Sequence, residues 1–250
     1  MRTANPALTE NTFAGLRGSV ATDEVMTVQG TVNKSALLLL CVLATAAWTW
    51  HLYFRSPEPD PAVVAPWIIV GALGGLVVAL ITVFKQQWAP VTAPIYALLE
   101  GLFLGGISCV AESQYPGIVI QAVGLTFGTC LAMLLIYTSG LIKATENFKM
   151  GVFAATGGIA LVYLASIVLN LFGVRVPFIY DNGLIGIGFS LVVVTIAALN
   201  LVLDFDFIDN GARQGAPKYM EWYAAFGLMV TLVWLYIEIL RLLMKLRSRN

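Results

Sequence analysis

A bundle of seven membrane-spanning helices is the fold this sequence predicts, and three observations carry it. Of its 250 residues, 59% are hydrophobic and only 11% are charged, less than half of the roughly 25% charged residues of soluble domains. The mean hydropathy is +0.84, which fits a chain whose outer surface meets lipid rather than water. The apolar residues gather into seven runs, each near the ~20 residues needed to cross hydrocarbon. Lipid offers no partner to backbone N–H and C=O groups, so such runs must be helical.

The first 33 residues are polar and mixed, with Pro, Thr, Asn, Asp and Glu among them. They lack the basic n-region and apolar h-region of a signal peptide, so 1–33 reads as a cytoplasmic tail. Residues 34–250 read as one transmembrane domain. Its runs are Ser35–Phe54, Val63–Phe84, Pro90–Ala111, Gly117–Tyr137, Gly151–Phe172, Gly183–Leu203 and Trp222–Met244. Ser56-Pro-Glu-Pro-Asp-Pro61 breaks the first run from the second, and Gln86-Gln87 breaks the second from the third. Short links make successive helices antiparallel neighbours. The pairs Gly71/Gly75, Gly101/Gly105 and Gly124/Gly128 have the four-residue spacing that lets helices pack closely within one chain.

Positive charges suggest the orientation. Lys34, Lys85, Lys143, Lys149, Arg213 and Lys218 flank the spans on the N-terminal side. Arg55, Arg175 and the tail residues Lys245, Arg247 and Arg249 flank them on the other. The excess favours an N-terminus inside, against the pull of the basic tail. Formal net charge is zero, leaving no basic face for nucleic acid. Cys41, Cys109 and Cys130 each sit in an apolar run without a C-x-x-C pair, and read as small buried hydrophobes. His51 lies beside Trp48 and Trp50, the pattern of an interfacial belt. No cofactor is expected.

The informative residues are the acids beside hydrocarbon, where a charge costs a few kcal/mol or more. Ala197-Ala-Leu-Asn-Leu-Val-Leu-Asp-Phe-Asp-Phe-Ile-Asp209 closes the sixth run with Asp204, Asp206 and Asp209. Asn200 is one turn before Asp204 and shares its face, whereas Asp206 points roughly the other way. A solvated helix end is the bland alternative for the three acids. Glu238 sits in the seventh run, with Arg241 three residues on, so a simple intrahelical pair competes with a functional role. Glu100 lies halfway through the third run and reads as a supporting intramembrane polar group. On this reading Glu100→Leu is tolerated less well than Glu112→Leu, because Glu112 sits at a loop edge. Lys85 ends the second run, able to snorkel to headgroups or to reach an acid. Two neighbouring carboxylates share a proton more cheaply than both ionise, which makes such a pair a pH switch. Hard oxygen ligands also suit Ca²⁺.

Three segments resemble the Bax inhibitor-1 (transmembrane Bax inhibitor motif) family, as a bacterial member. Leu201-Val-Leu-Asp-Phe-Asp206 looks like that family's sixth-helix ending. Leu235-Tyr-Ile-Glu-Ile-Leu-Arg-Leu-Leu243 looks like its seventh-helix Leu-Tyr-Leu-Asp signature, and Leu98-Leu-Glu-Gly-Leu-Phe-Leu-Gly105 is similar to its third-helix Glu-Gly pattern. The resemblance implies a bundle with the last helix central, in the bacterial cytoplasmic membrane. It also implies a pH-sensitive cation leak, for Ca²⁺ above all, with an acidic pair sharing a proton. Carried over, the pair is Asp204 and Glu238, which together are also the candidate Ca²⁺ ligands, and the latch is Lys85. Asp206 competes with Asp204. The chain departs from the family in having Glu at position 238, a second acid in Asp-Phe-Asp, and Lys as latch, which lacks arginine's bidentate fork.

One difficulty is visible in the sequence. Asp204 ends its run while Glu238 lies sixteen residues into the next, roughly 24 Å of depth at 1.5 Å per residue. Contact requires the seventh helix to begin late, with Asn210–Tyr223 partly outside the span; otherwise Glu221 is the alternative partner. The rival function is a non-conducting adaptor that binds another membrane protein, such as a membrane protease. An enzyme is not expected. Tyr180-Asp181 offers half of an intramembrane aspartyl site, but Gly186-Ile-Gly-Phe189 ends in Phe where the other acid is needed, and Ser190 has only distant His51 for a base.

Overall fold

The computed structural model describes residues 25–55, 60–173 and 182–249. Most of the N-terminal tail, the Ser56–Pro59 part of the first break, Arg175 and Tyr180-Asp181 lie outside the described residues. Seven helices run through the rest: α1 (Val28–Phe54), α2 (Pro61–Phe84), α3 (Ala89–Gln114), α4 (Ile118–Thr138), α5 (Glu146–Leu171), α6 (Leu184–Arg213) and α7 (Met220–Arg247). All seven are long and apolar enough to cross a membrane.

The helices overrun the apolar runs where capping and ion pairs carry them past the hydrocarbon. α1 starts at Val28 rather than Ser35, because Thr27 caps it by accepting from Gly30 N–H at 2.9 Å. The expected tail of residues 1–33 therefore ends in helix. α5 starts at Glu146, capped by Thr145. α6 runs on to Arg213, where Arg213 pairs with Asp209 at 2.9 Å. Pro61 opens α2 behind the Asp60 cap. A short 3₁₀ turn, Gln86–Trp88, links α2 to α3. Before α4, Gly117 takes φ 82°, a left-handed conformation open to glycine.

Helix α7 is the axis of the bundle, packed against α1, α3, α4 and α6. Its residues are buried on several faces, among them Ala225, Met229, Val233, Leu235 and Leu240. Tyr96 of α3 stacks edge-on against Phe226 at 4.9 Å, and Ser108 of α3 shares a 2.6 Å hydrogen bond with Tyr236. On α3, Gly101 and Gly105 receive Thr45 and Thr49 of α1, so that a methyl group at either would overlap them. Gly71 and Gly75 of α2 make the same close approach to α3. Gly124 and Gly128 do not: both face open space, so the third expected packing pair is not one.

α5 stands at the edge, held mainly by α6. Its buried residues are Val152, Ile159 and Ser166, seven apart. Its outer side is bare hydrocarbon, with Phe153 77% and Leu161 67% exposed, as a lipid-facing surface should be.

Candidate functional site

Asp204 is set into the junction of α4, α6 and α7. Its neighbours on α7 are Gly227 and Thr231, and on α4 Cys130. Its Oδ2 is buried and has no hydrogen-bond partner. A methyl added at Gly227 would meet the Asp204 carboxylate at 4.0 Å, an ordinary van der Waals contact. An ionised carboxylate so placed is costly, and either a proton or a cation relieves it.

Glu238 is not Asp204's partner. It is 1% exposed, and its Oε1 accepts from Tyr163 of α5 at 2.9 Å and from Arg241 at 3.0 Å. It lies seven residues beyond Thr231, so about 10 Å deeper along α7 at 1.5 Å per residue. The expected proton-sharing pair, and a Ca²⁺ ion held jointly by Asp204 and Glu238, are thus not supported by the geometry. The cause is that α7 begins at Met220 instead of late, so Asp204 meets the hydroxyl of Thr231 where a second acid was expected. The intrahelical Glu238–Arg241 pair is what forms. Lys85 is exposed at the end of α2 and, among the described residues, pairs with no acid; it is not a latch on this cluster.

The other expected residues disperse along two directions. Asn200 turns to α5, donating to Thr156 Oγ1 at 2.8 Å. Asp206 also turns to α5, pairing with Lys149 at 3.0 Å, and accepts from Asn210. Asp209 pairs with Arg213 and forms part of a solvated helix end. Glu100 sits at the α2–α3 contact beside Gly75, with Oε2 buried and unpartnered. Glu221 is fully buried, but in a different place. It accepts from Thr27 N–H and Oγ1, each at 2.9 Å, and pairs with Lys34 and Lys218. This ties the start of α7 to the segment before α1, where Met26 N–H donates to Ala216 O at 2.7 Å.

The chain belongs to the Bax inhibitor 1 like family. That family's sequence model matches residues 5–248, nearly the whole length. Searches of the curated proteins and of the solved structures returned no match. Membership agrees with the seven helices and their central α7.

Several groups at the helix contacts are not marked by the acids in the sequence. Tyr163, Thr156 and Lys149 stand seven residues apart on α5 and each bonds the helices inside it. That seven-residue spacing was the available signal. Lys245, which the sequence places in a basic tail, is 5% exposed and donates to Gly186 O at 3.0 Å and Ser190 Oγ at 2.9 Å. Two cavities among the described residues lie near these groups. One of about 380 Å³ between α1, α3, α4 and α7 is lined almost wholly by apolar side chains such as Val42, Trp50, Val123 and Phe127. The other, about 560 Å³, has a mainly apolar lining, with Ile107, Ile237 and Leu240 among it, into which Gln114, Arg241 and Ser248 also reach.

Proposed function

We propose that this protein is a proton-sensitive cation leak of the membrane it spans, with Ca²⁺ the first ion to test and Asp204 the responsive group. The observation that carries the reading is the buried Oδ2 of Asp204, without a hydrogen-bond partner at the junction of three helices. Protonated, that carboxyl sits quietly between α4, α6 and α7. Ionised, it needs a cation or water, and the helices must part to supply either. One acid facing one hydroxyl suffices for this; a second carboxylate is not required. The end of the bundle carrying Lys34, Lys149, Arg213 and Lys218 is the cytoplasmic one on this reading, since positive flanks stay inside, and the bacterial cytoplasmic membrane is the expected location.

Liposomes containing the purified protein and trapped Ca²⁺ test the proposal. Release faster than from protein-free liposomes, dependent on pH, supports a leak. Tight liposomes at every pH support instead the adaptor reading, in which the bundle holds another membrane protein.

A further inference from the structure

Helix α5 meets its neighbours along a two-residue stripe of heptad type. Val152, Ile159 and Ser166 form one row of it. Lys149, Thr156 and Tyr163 form the other, and this second row is polar at every step. Each member has a polar partner on the inner helices: Lys149 with Asp206, Thr156 with Asn200, and Tyr163 with Glu238. Threonine–asparagine bonds are ordinary between membrane helices, but ionisable groups at both ends of such a row are rare and mark ion pathways. From Lys149 to Tyr163 is fourteen residues, about 21 Å of depth, or most of the ~30 Å hydrocarbon layer. Beyond Tyr163 the row meets Arg241, and Arg241 lines the cavity of about 560 Å³, where it stands with Lys245 and Ser248 among apolar side chains.

We infer that the cation route runs along this seam, between α5 and the α6–α7 pair. It rests on the leak reading above and names the path. The charged groups along it are Glu146, Lys149, Asp206, Glu238, Arg241 and Lys245, three acids and three bases. At each end a base occupies the acid a cation would use: Lys149 holds Asp206, and Arg241 holds Glu238. The structure therefore has the seam closed, by two ion pairs. Asn200 and Thr156 are the uncharged station between them. Asp204 lies one turn from Asn200 on the same helix, so a change there reaches the middle of the route directly. α5 is the element able to move, because few buried side chains hold it.

The test uses the full chain in Ca²⁺-loaded liposomes and a membrane-impermeant cationic methanethiosulfonate as thiol probe. Thr156→Cys lies on the seam; Leu161→Cys faces lipid. The unmodified protein, with its three native cysteines, sets the background. We expect Thr156→Cys to react at least about tenfold faster than Leu161→Cys, and its release then to fall at least about tenfold, equivalent to about 1.4 kcal/mol of barrier. Asn200→Leu is expected to slow release by a similar factor without any reagent. Release that continues undiminished while Thr156→Cys reacts no faster than Leu161→Cys overturns the seam and leaves the leak standing. Absence of release from the unmodified protein overturns the leak itself, and the route with it.

Discussion

Asp204 and Glu221 show how the surroundings of a carboxylate decide its work. Glu221 is as buried as a side chain can be, yet every oxygen is matched by Thr27, Lys34 or Lys218. Its role is to hold the segment before α1 onto the start of α7. Glu221→Gln leaves two lysines facing a neutral amide, and should lower stability by on the order of 2 kcal/mol, read as a lower melting temperature in detergent. Asp204 has no such set of donors. Glu112 and Glu100 divide in the same way. Glu112 accepts from Gly117 and Val119 N–H at 2.6 and 3.1 Å, capping the first turn of α4. Glu100 keeps an unmatched oxygen. Glu112→Leu should therefore cost about 1–2 kcal/mol as a lost cap, while Glu100→Leu removes an unmatched oxygen but also the partner of the Tyr96 hydroxyl, and should cost less than that in thermal melts. That order reverses the expectation from their positions in the runs, because position along a span says nothing about donors folded back from the next helix.

Among the elements, hydropathy marked all seven helices but not their ends. The ends depend on single caps such as Thr27 and Thr145, and on pairs such as Asp209–Arg213, which lie outside the apolar signal. This mattered most for α7: once it begins at Met220, Asp204 is level with Gly227–Thr231 and Glu238 is out of reach. The acids themselves were legible, since a carboxylate in an apolar run stands out whatever it touches. Their partners were not, because depth sets them and depth follows from the turn between two helices. Glycine spacing had the same limit. Gly101/Gly105 and Gly124/Gly128 look identical in sequence, yet only the first pair meets a neighbour. Gly101→Ala should destabilise by about 1–3 kcal/mol, since the methyl overlaps Thr45 and the Val42 backbone. Gly124→Ala should be neutral or stabilising by up to about 1 kcal/mol through helix propensity. Paired melting curves in one detergent check both, and a Gly124→Ala loss equal to that of Gly101→Ala would contradict the packing described.

At the scale of the whole molecule, the bundle divides into a tight part and a loose one. α1, α2, α3 and α7 interlock through glycines and a shared core, whereas α5 is held to α6 and α7 by a row of polar bonds. The loose side carries the two ion pairs that close the seam, and Asp204 stands where the two parts meet. Glu238→Gln should weaken the Arg241 pair and raise resting release from liposomes. The most direct measurement is Ca²⁺ release from liposomes across pH for the unmodified protein and for Asp204→Asn. The account predicts release that varies with pH in the unmodified protein and a flattened profile in the variant. Identical pH profiles in the two would contradict it.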